Sequence, residues 1–221
     1  TRQSTATRRW LAASQADAAQ IAEIASCSPE MAKFLALPSH APRLDSRARR
    51  GKIALIWPYK TRQAGGQMEL SAIYLHTRGQ TGQDFVGSRE DAVTSRRIQE
   101  AALFTIKGNP NAAGKNRHTV FLTASPLDAM AAHAVSPGAD VYAVSTPSIP
   151  QWLIHDWTHA GKNRMVTIGL TESEVETIKG FAQAAGWYGI MQRATVDTVL
   201  PNVSAGPVQA TPHRAQAWDI L

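Results

Sequence analysis

Residues 119–130, TVFLTASPLDAM, decide how this chain is read. Thr119–Thr123 is a short run of β-branched and apolar residues, the composition of a buried strand. Ser125-Pro126 then breaks the strand, and Pro126 suits the first turn of a helix, where a missing N–H leaves no hydrogen bond unmade. The stretch predicts strand, sharp turn and helix. That geometry sets polar groups at the carboxyl end of a sheet strand, where open α/β sheets place their sites.

Toward the C-terminus the pattern repeats. Strands are expected at 119–123, 140–145 and 164–170, with helices near 126–135, 149–160 and 172–186 and a final strand at 193–199. Strands alternating with helices of this length predict an α/β fold, a parallel sheet flanked by helices. Beyond Pro201 the tail is rich in Pro and Ala and is expected to be irregular, with Trp218, Ile220 and Leu221 available to dock it.

Toward the N-terminus, residues 5–36 are expected to be helical. They carry Trp10, Leu11, Ile21, Ile24 and Met31 at three- and four-residue spacings, and Ser28-Pro29 marks a helix start. Residues 37–51 are a polar, Pro-containing connector bearing Arg43, Arg47, Arg49 and Arg50. Lys52–Trp57 reads as a strand stopped by Pro58, and Met68–His76 as its partner, with Gly65-Gly66 supplying the positive backbone angles of a tight hairpin. A short helix over 88–102 would expose Arg89, Arg96 and Arg97, and Leu103–Lys107 is another short strand. The resulting plan is a helical segment and basic connector over 1–50, a small β-rich segment over 51–118, an α/β core over 119–200 and a tail over 201–221.

The 221 residues carry a net charge of +6, and the sequence pI is about 9.8. The charge is unevenly spread: residues 1–118 hold 18 Lys and Arg against 9 Asp and Glu, whereas residues 119–221 hold 5 against 8. A basic first half is the footprint of a polyanion partner, since phosphate neutralisation supplies most non-specific nucleic-acid affinity. An Arg-rich solvated surface would look the same in composition. No run approaches eighteen apolar residues, so no membrane span is expected, and TRQSTATRRWLAAS lacks the apolar stretch of a signal peptide. The first residue is Thr, which fits a piece of a longer protein. The lone Cys27 excludes an intramolecular disulfide, suits the cytoplasm and is expected to be a small buried apolar residue.

Over residues 52–190 the chain resembles the Toprim domain, the metal-binding module of bacterial primases, topoisomerases and related nucleases. In that family a strand ends in Glu, followed by a small residue, Pro, an aliphatic residue and Asp-Ala. Here Ala124 takes the Glu position, and Ser125, Pro126, Leu127, Asp128 and Ala129 keep the rest. The segment IALIWPYK, QAGGQ and LSAIYLHTRG is similar to the β-rich piece that precedes such domains. The second strand is ADVYAVSTPS. The third, RMVTIGLTESEVETI, aligns Thr171 and Ser173 with the two family aspartates. The resemblance implies a Toprim-like, Rossmann-like fold. It also implies a DNA-binding module in a bacterial, plasmid or phage protein of replication or conjugative mobilisation.

The replaced acids bear on chemistry. Mg²⁺ is a hard cation that takes carboxylate, water and phosphate oxygens, and phosphoryl transfer needs its charge. Ala124 offers no ligand and Thr171 and Ser173 only neutral hydroxyls. The expectation is a binding domain with no resident cofactor and no catalysis. If the acids had moved, Asp128, Glu172 and Glu174 would form a rearranged Mg²⁺ site of a primase or nuclease. The alternative reading of Glu172, Glu174 and Glu176 is a favourable charge at a helix N-terminus. A third possibility is a module that docks a relaxase, helicase or secretion component. The candidate phosphate contacts are Arg47, Arg49, Arg50, Lys52, Lys60, Arg62, Lys115 and Arg117.

Other patterns carry less. GNPNAAGKN (108–116) has five residues between its glycines and Asn116 where a P-loop needs Ser or Thr, and a strand follows it. His155 and His159 lie four apart with no third ligand at useful spacing, so an ordinary helix surface is expected. Ser125 lacks the glycines of a nucleophile elbow. Trp57, Tyr59 and Tyr74 among Lys52, Lys60, Arg62 and Arg78 either stack bases or fill a core, with core favoured.

Overall fold

The structure is a computed structural model that describes residues 5–36, 41–46, 52–63, 65–79, 84–87, 102–112 and 116–194. The described residues divide into two compact units, one within residues 1–98 and one within residues 99–220. The division groups the strand that starts at Leu103 with the later part of the chain, upstream of the Thr119 border drawn from the sequence. No described helix is long and apolar enough to cross a membrane.

The first unit opens with three short helices within the helical stretch expected over 5–36, the last starting at the expected Ser28-Pro29: α1 (Thr5–Ala12), α2 (Ala18–Ala25) and α3 (Pro29–Leu35). Local chemistry cuts them. A two-residue strand, β1 (Ser14–Gln15), follows α1, and Asp17 then starts α2 through a capping box with Gln20. Ser26, in the left-handed region at φ 54°, ends it. Ser28 caps α3 by accepting from Met31 N, with Pro29 in the first turn. Cys27 is only half-buried, against the expectation of a buried residue.

The connector holds a strand that its polar composition hid, β2 (Arg43–Asp45). It joins β3 (Ala54–Arg62), β4 (Met68–His76) and β5 (Asp84–Gly87) in an antiparallel sheet of order β1-β2-β3-β4-β5. β3 starts two residues later than expected and runs through Pro58, which pairs with Ile73. Tyr59 pairs with Ala72 and Lys60 with Leu70, so Ser71 is an extra residue, a bulge whose hydroxyl donates to Tyr59 O at 3.3 Å. In the hairpin turn only Gly66 has positive φ, at 80°; Gly65 needs none.

Around Ala54–Tyr59 and Ala72–His76 both faces of this sheet are buried. Ala54, Ile56, Ile73 and Leu75 pack on Ala6 and Trp10 of α1. On the other face Trp57, Tyr59, Tyr74 and Phe85 form a ring cluster with centroids 5.1–6.2 Å apart.

The second unit is α/β. Its strands are β6 (Leu103–Ile106), β7 (Thr119–Thr123), β8 (Asp140–Val144), β9 (Arg164–Ile168) and β10 (Ile190–Ala194). Between them run α4 (Pro126–Val135), α5 (Gln151–His159) and α6 (Glu172–Ala184). The order is β6-β8-β7-β9-β10, with β6 antiparallel to β8 and the rest parallel. β7 is buried throughout, as a central parallel strand requires. Alternate residues of β7, β8 and β9 (Val120, Leu122, Tyr142, Val144, Met165) share one core with Leu153 and Trp157 of α5 and Val175 and Ile178 of α6.

Two expectations shift here. β9 stops at Ile168, because Gly169 turns away at φ 69°. The last strand is Ile190–Ala194, three residues earlier than the expected 193–199 start; residues 195–199 lie outside the described set, as does the expected helix over 88–102 except Ala102.

Candidate functional site

From β7 the chain passes through α4 to β8 on one side; from β9 it passes through α6 to β10 on the other. The carboxyl ends of β7 and β9 thus flank a topological switch point, the place where such sheets open a crevice. Its residues are Ala124, Ser125 and Asp128 on one side and Gly169, Leu170 and Thr171 on the other.

The crevice is closely packed. Ala124 is fully buried, and its N–H donates to Ile168 O at 3.1 Å. A side chain at Gly169 would lie 3.3 Å from the Ala124 Cβ and 3.2 Å from Asp128 Oδ2. Asp128 is 1% exposed. Ser125 caps α4: its Oγ accepts from Asp128 N at 3.1 Å and donates to Asp128 Oδ2 at 2.8 Å. The Ser125 hydroxyl and the Asp128 carboxylate therefore hold each other at the helix start, and neither points outward as a nucleophile or ligand.

Thr171 is the N-cap of α6. Its N–H and Oγ1 donate to Glu174 Oε2 at 2.7 and 3.0 Å, and Glu174 N donates back to Thr171 Oγ1 at 3.3 Å. Glu174 thus completes a capping box. Glu172 lines a different groove, between α6 and β10. Asp128 is at the crevice floor, Glu174 on its own helix cap and Glu172 in that groove, so the three acids of the rearranged site serve three places. Among the described residues no three His, Cys, Asp or Glu side chains gather as a metal set.

The cationic candidates fall in both units. Lys52, Lys60 and Arg62 are exposed in the first, the latter two on the outer half of β3. Arg117 and His118 are exposed in the second. Arg47, Arg49, Arg50 and Lys115 lie outside the described residues. Trp57 and Tyr59 are fully buried and Tyr74 nearly so, which makes them core and not a base-stacking platform.

The loop after β6 is built by packing. Gly108 approaches the backbone of Gly138 and Ala139 too closely for any side chain, and its N–H donates to Asp140 Oδ1 at 2.9 Å. Lys107 Nζ donates to Tyr142 Oη at 2.9 Å, and Asp140 also faces Lys162 at 3.5 Å. Burial pulls the Lys107 pKa down, but Tyr142 and Asp140 outweigh it and the net shift is upward. Burial raises the Tyr142 pKa against the opposing pull of Lys107. Lys162 also donates to Arg117 O at 2.7 Å, and Trp187 Nε1 donates to Lys162 O at 2.8 Å. This cluster, which ties the amino-terminal ends of the strands, had no signature in the sequence because its members are scattered from 107 to 187.

His155 and His159 are exposed on α5. Their rings stack at 5.5 Å, and His159 Nδ1 lies 2.9 Å from His155 O. The helix binds one of the two rings to its own backbone.

A scan against protein-family models gives no match for this chain, and a search of curated proteins gives none.

Proposed function

We propose that this chain is a DNA-binding module on a Toprim-like scaffold that has exchanged its metal-binding acids, within a replication or conjugative mobilisation protein. One observation carries the reading. At the switch point the strand end is Ala124, fully buried across from Gly169, where the family's pattern has a carboxylate. Electrostatics supplies the partner: residues 1–98 hold 15 Lys and Arg against 8 Asp and Glu, with Lys52, Lys60 and Arg62 exposed. Exposed cations without a catalytic acid bind phosphate backbone but do not cut it.

The test is a titration of labelled single- and double-stranded DNA at several salt concentrations, with Mg²⁺ and with chelator. Salt-sensitive binding that the chelator leaves intact is the expected result. Binding or turnover that needs Mg²⁺ would favour a primase or nuclease that uses Asp128, Glu172 and Glu174. Absence of binding at low salt would overturn the reading.

A second reading, a protein-interaction module, has its own observation. Tyr188 is 80% and Ile190 68% exposed beside the groove between α6 and β10, a large apolar surface for one strand end. Salt-insensitive protein binding that is lost in Tyr188→Ser would favour it.

A further inference from the structure

We propose that the cleft between α1 and the end of β2 is a phosphate subsite for a nucleic-acid backbone, with Arg8 as its reading residue. This rests on the DNA-binding function proposed above and gives it a place in the first unit.

The cleft has a volume of about 400 Å³ and is lined by Thr5, Arg8 and Arg9 from α1 and by Asp45 and Ser46 at the end of β2. Among the described residues, Arg8 and Arg9 in the cleft and Arg43 near it have different employment. Arg9 is pinned: its Nε donates to Asp45 Oδ2 at 2.9 Å, its Nη2 donates to the same oxygen, and the Asp45 side chain is 9% exposed. That pair cancels the acid's charge and makes a fixed wall, since breaking it would leave a buried carboxylate. Arg43 donates to Trp10 O at 2.7 Å and lies over the Trp10 ring at 4.5 Å, which occupies its guanidinium on the helix.

Arg8 is exposed, and among the described residues its hydrogen bond is a long one, 3.5 Å to Thr5 Oγ1 one turn earlier. A guanidinium fork presents five donors, of which one is weakly used. The Thr5 and Ser46 hydroxyls add donors on either side of the cleft. With Arg9 and Asp45 neutralising each other, the charge left among the described lining residues is that of Arg8, and a fork flanked by hydroxyls fits phosphate oxygens. The chemistry contains no base-reading element, so the subsite positions a strand and does not select sequence.

The test uses the whole chain and two probes. The first is inorganic pyrophosphate, followed by the NMR signals of the arginine Nε–H groups. A shift of the Arg8 signal that saturates, with Arg9 unmoved, supports the cleft; no shift overturns it, whatever DNA does. The second is labelled DNA. Arg8→Gln is expected to lower the salt slope of binding by about one counterion, so that its deficit relative to the unaltered chain shrinks about 3.5-fold between about 50 and 200 mM salt. Arg8→Lys should keep the slope and lose part of the affinity, and Lys179→Gln in the second unit should change neither. Unchanged affinity and slope in Arg8→Gln, in a chain that binds DNA, would overturn the subsite and leave the DNA reading standing. Failure of the unaltered chain to bind DNA, with the pyrophosphate shift present, would overturn the DNA reading and leave an anion site.

Discussion

Replacing Ala124 with glutamate would return the family's acid to the strand end, but at a fully buried position away from water. Its Cβ lies beside Gly169, and the Asp128 carboxylate, 1% exposed, occupies the adjacent space. We expect Ala124→Glu to destabilise the second unit by on the order of 3 kcal/mol and to create no Mg²⁺ affinity, as read by thermal melts and calorimetry. A near-neutral melt with Mg²⁺ binding would show an open crevice. His76 gives the pH prediction. It is 5% exposed, and loss of hydration lowers its pKa from 6.5 to about 4. The native state then binds fewer protons than the unfolded chain below pH 6.5. Stability is complete above about pH 6.5 and falls as pH falls toward 4, by about 3 kcal/mol in all. His76→Leu should remove that part of the slope in urea melts at stepped pH.

The helices of the second unit were legible from the alternation of strand and helix, and the start of α4 from Ser125-Pro126. Ser125-Pro126 was read as a helix start and α4 begins there, whereas the Thr171–Glu174 capping box that starts α6 became visible in the structure. The role of Glu174 follows from the same cap. Thr171→Val should cost about 1 kcal/mol, and Glu174→Ala about as much, whereas Glu174→Gln should keep the box and stay within about 0.5 kcal/mol. Equal losses for the Gln and Ala variants, measured by chemical denaturation, would mean that the carboxylate charge matters beyond the cap. The β elements were less legible at their edges. β2 was hidden because it is three residues of mixed polarity, Arg43, Leu44 and Asp45, and owes its existence to its ladders with β1 and β3. Pro58 looked like a stop because a local rule does not see the long ladder to β4, within which Pro58 pairs with Ile73. The last strand was misplaced because Tyr188 to Ile190 is positioned by β9, to which Ile190 pairs through Arg164.

At the scale of the molecule, positive charge belongs to the first unit and to the loop before β7. Replacing Arg47, Arg49 and Arg50 with glutamine together should weaken binding to every DNA sequence alike and reduce the salt slope by roughly two to three counterions. A loss confined to one sequence, in competition assays with unrelated duplexes, would contradict a backbone-only role. The sequence by itself determined the strand–turn–helix at 119–135, the alternation that makes the second unit α/β, the charge asymmetry, and the absence of Glu at position 124. These depend on neighbours within a few residues or on composition, which a linear reading contains. Only the tertiary structure decided that Ala124 meets Gly169 and Asp128 across the switch point and that Asp128, Glu172 and Glu174 serve three separate places. It also decided that Asp45 neutralises Arg9 from 36 residues away and leaves Arg8 at the mouth of a cleft. Contacts between distant residues are fixed by which strand lies beside which, and that order is set by burial of the whole sheet, not by any single stretch of chain.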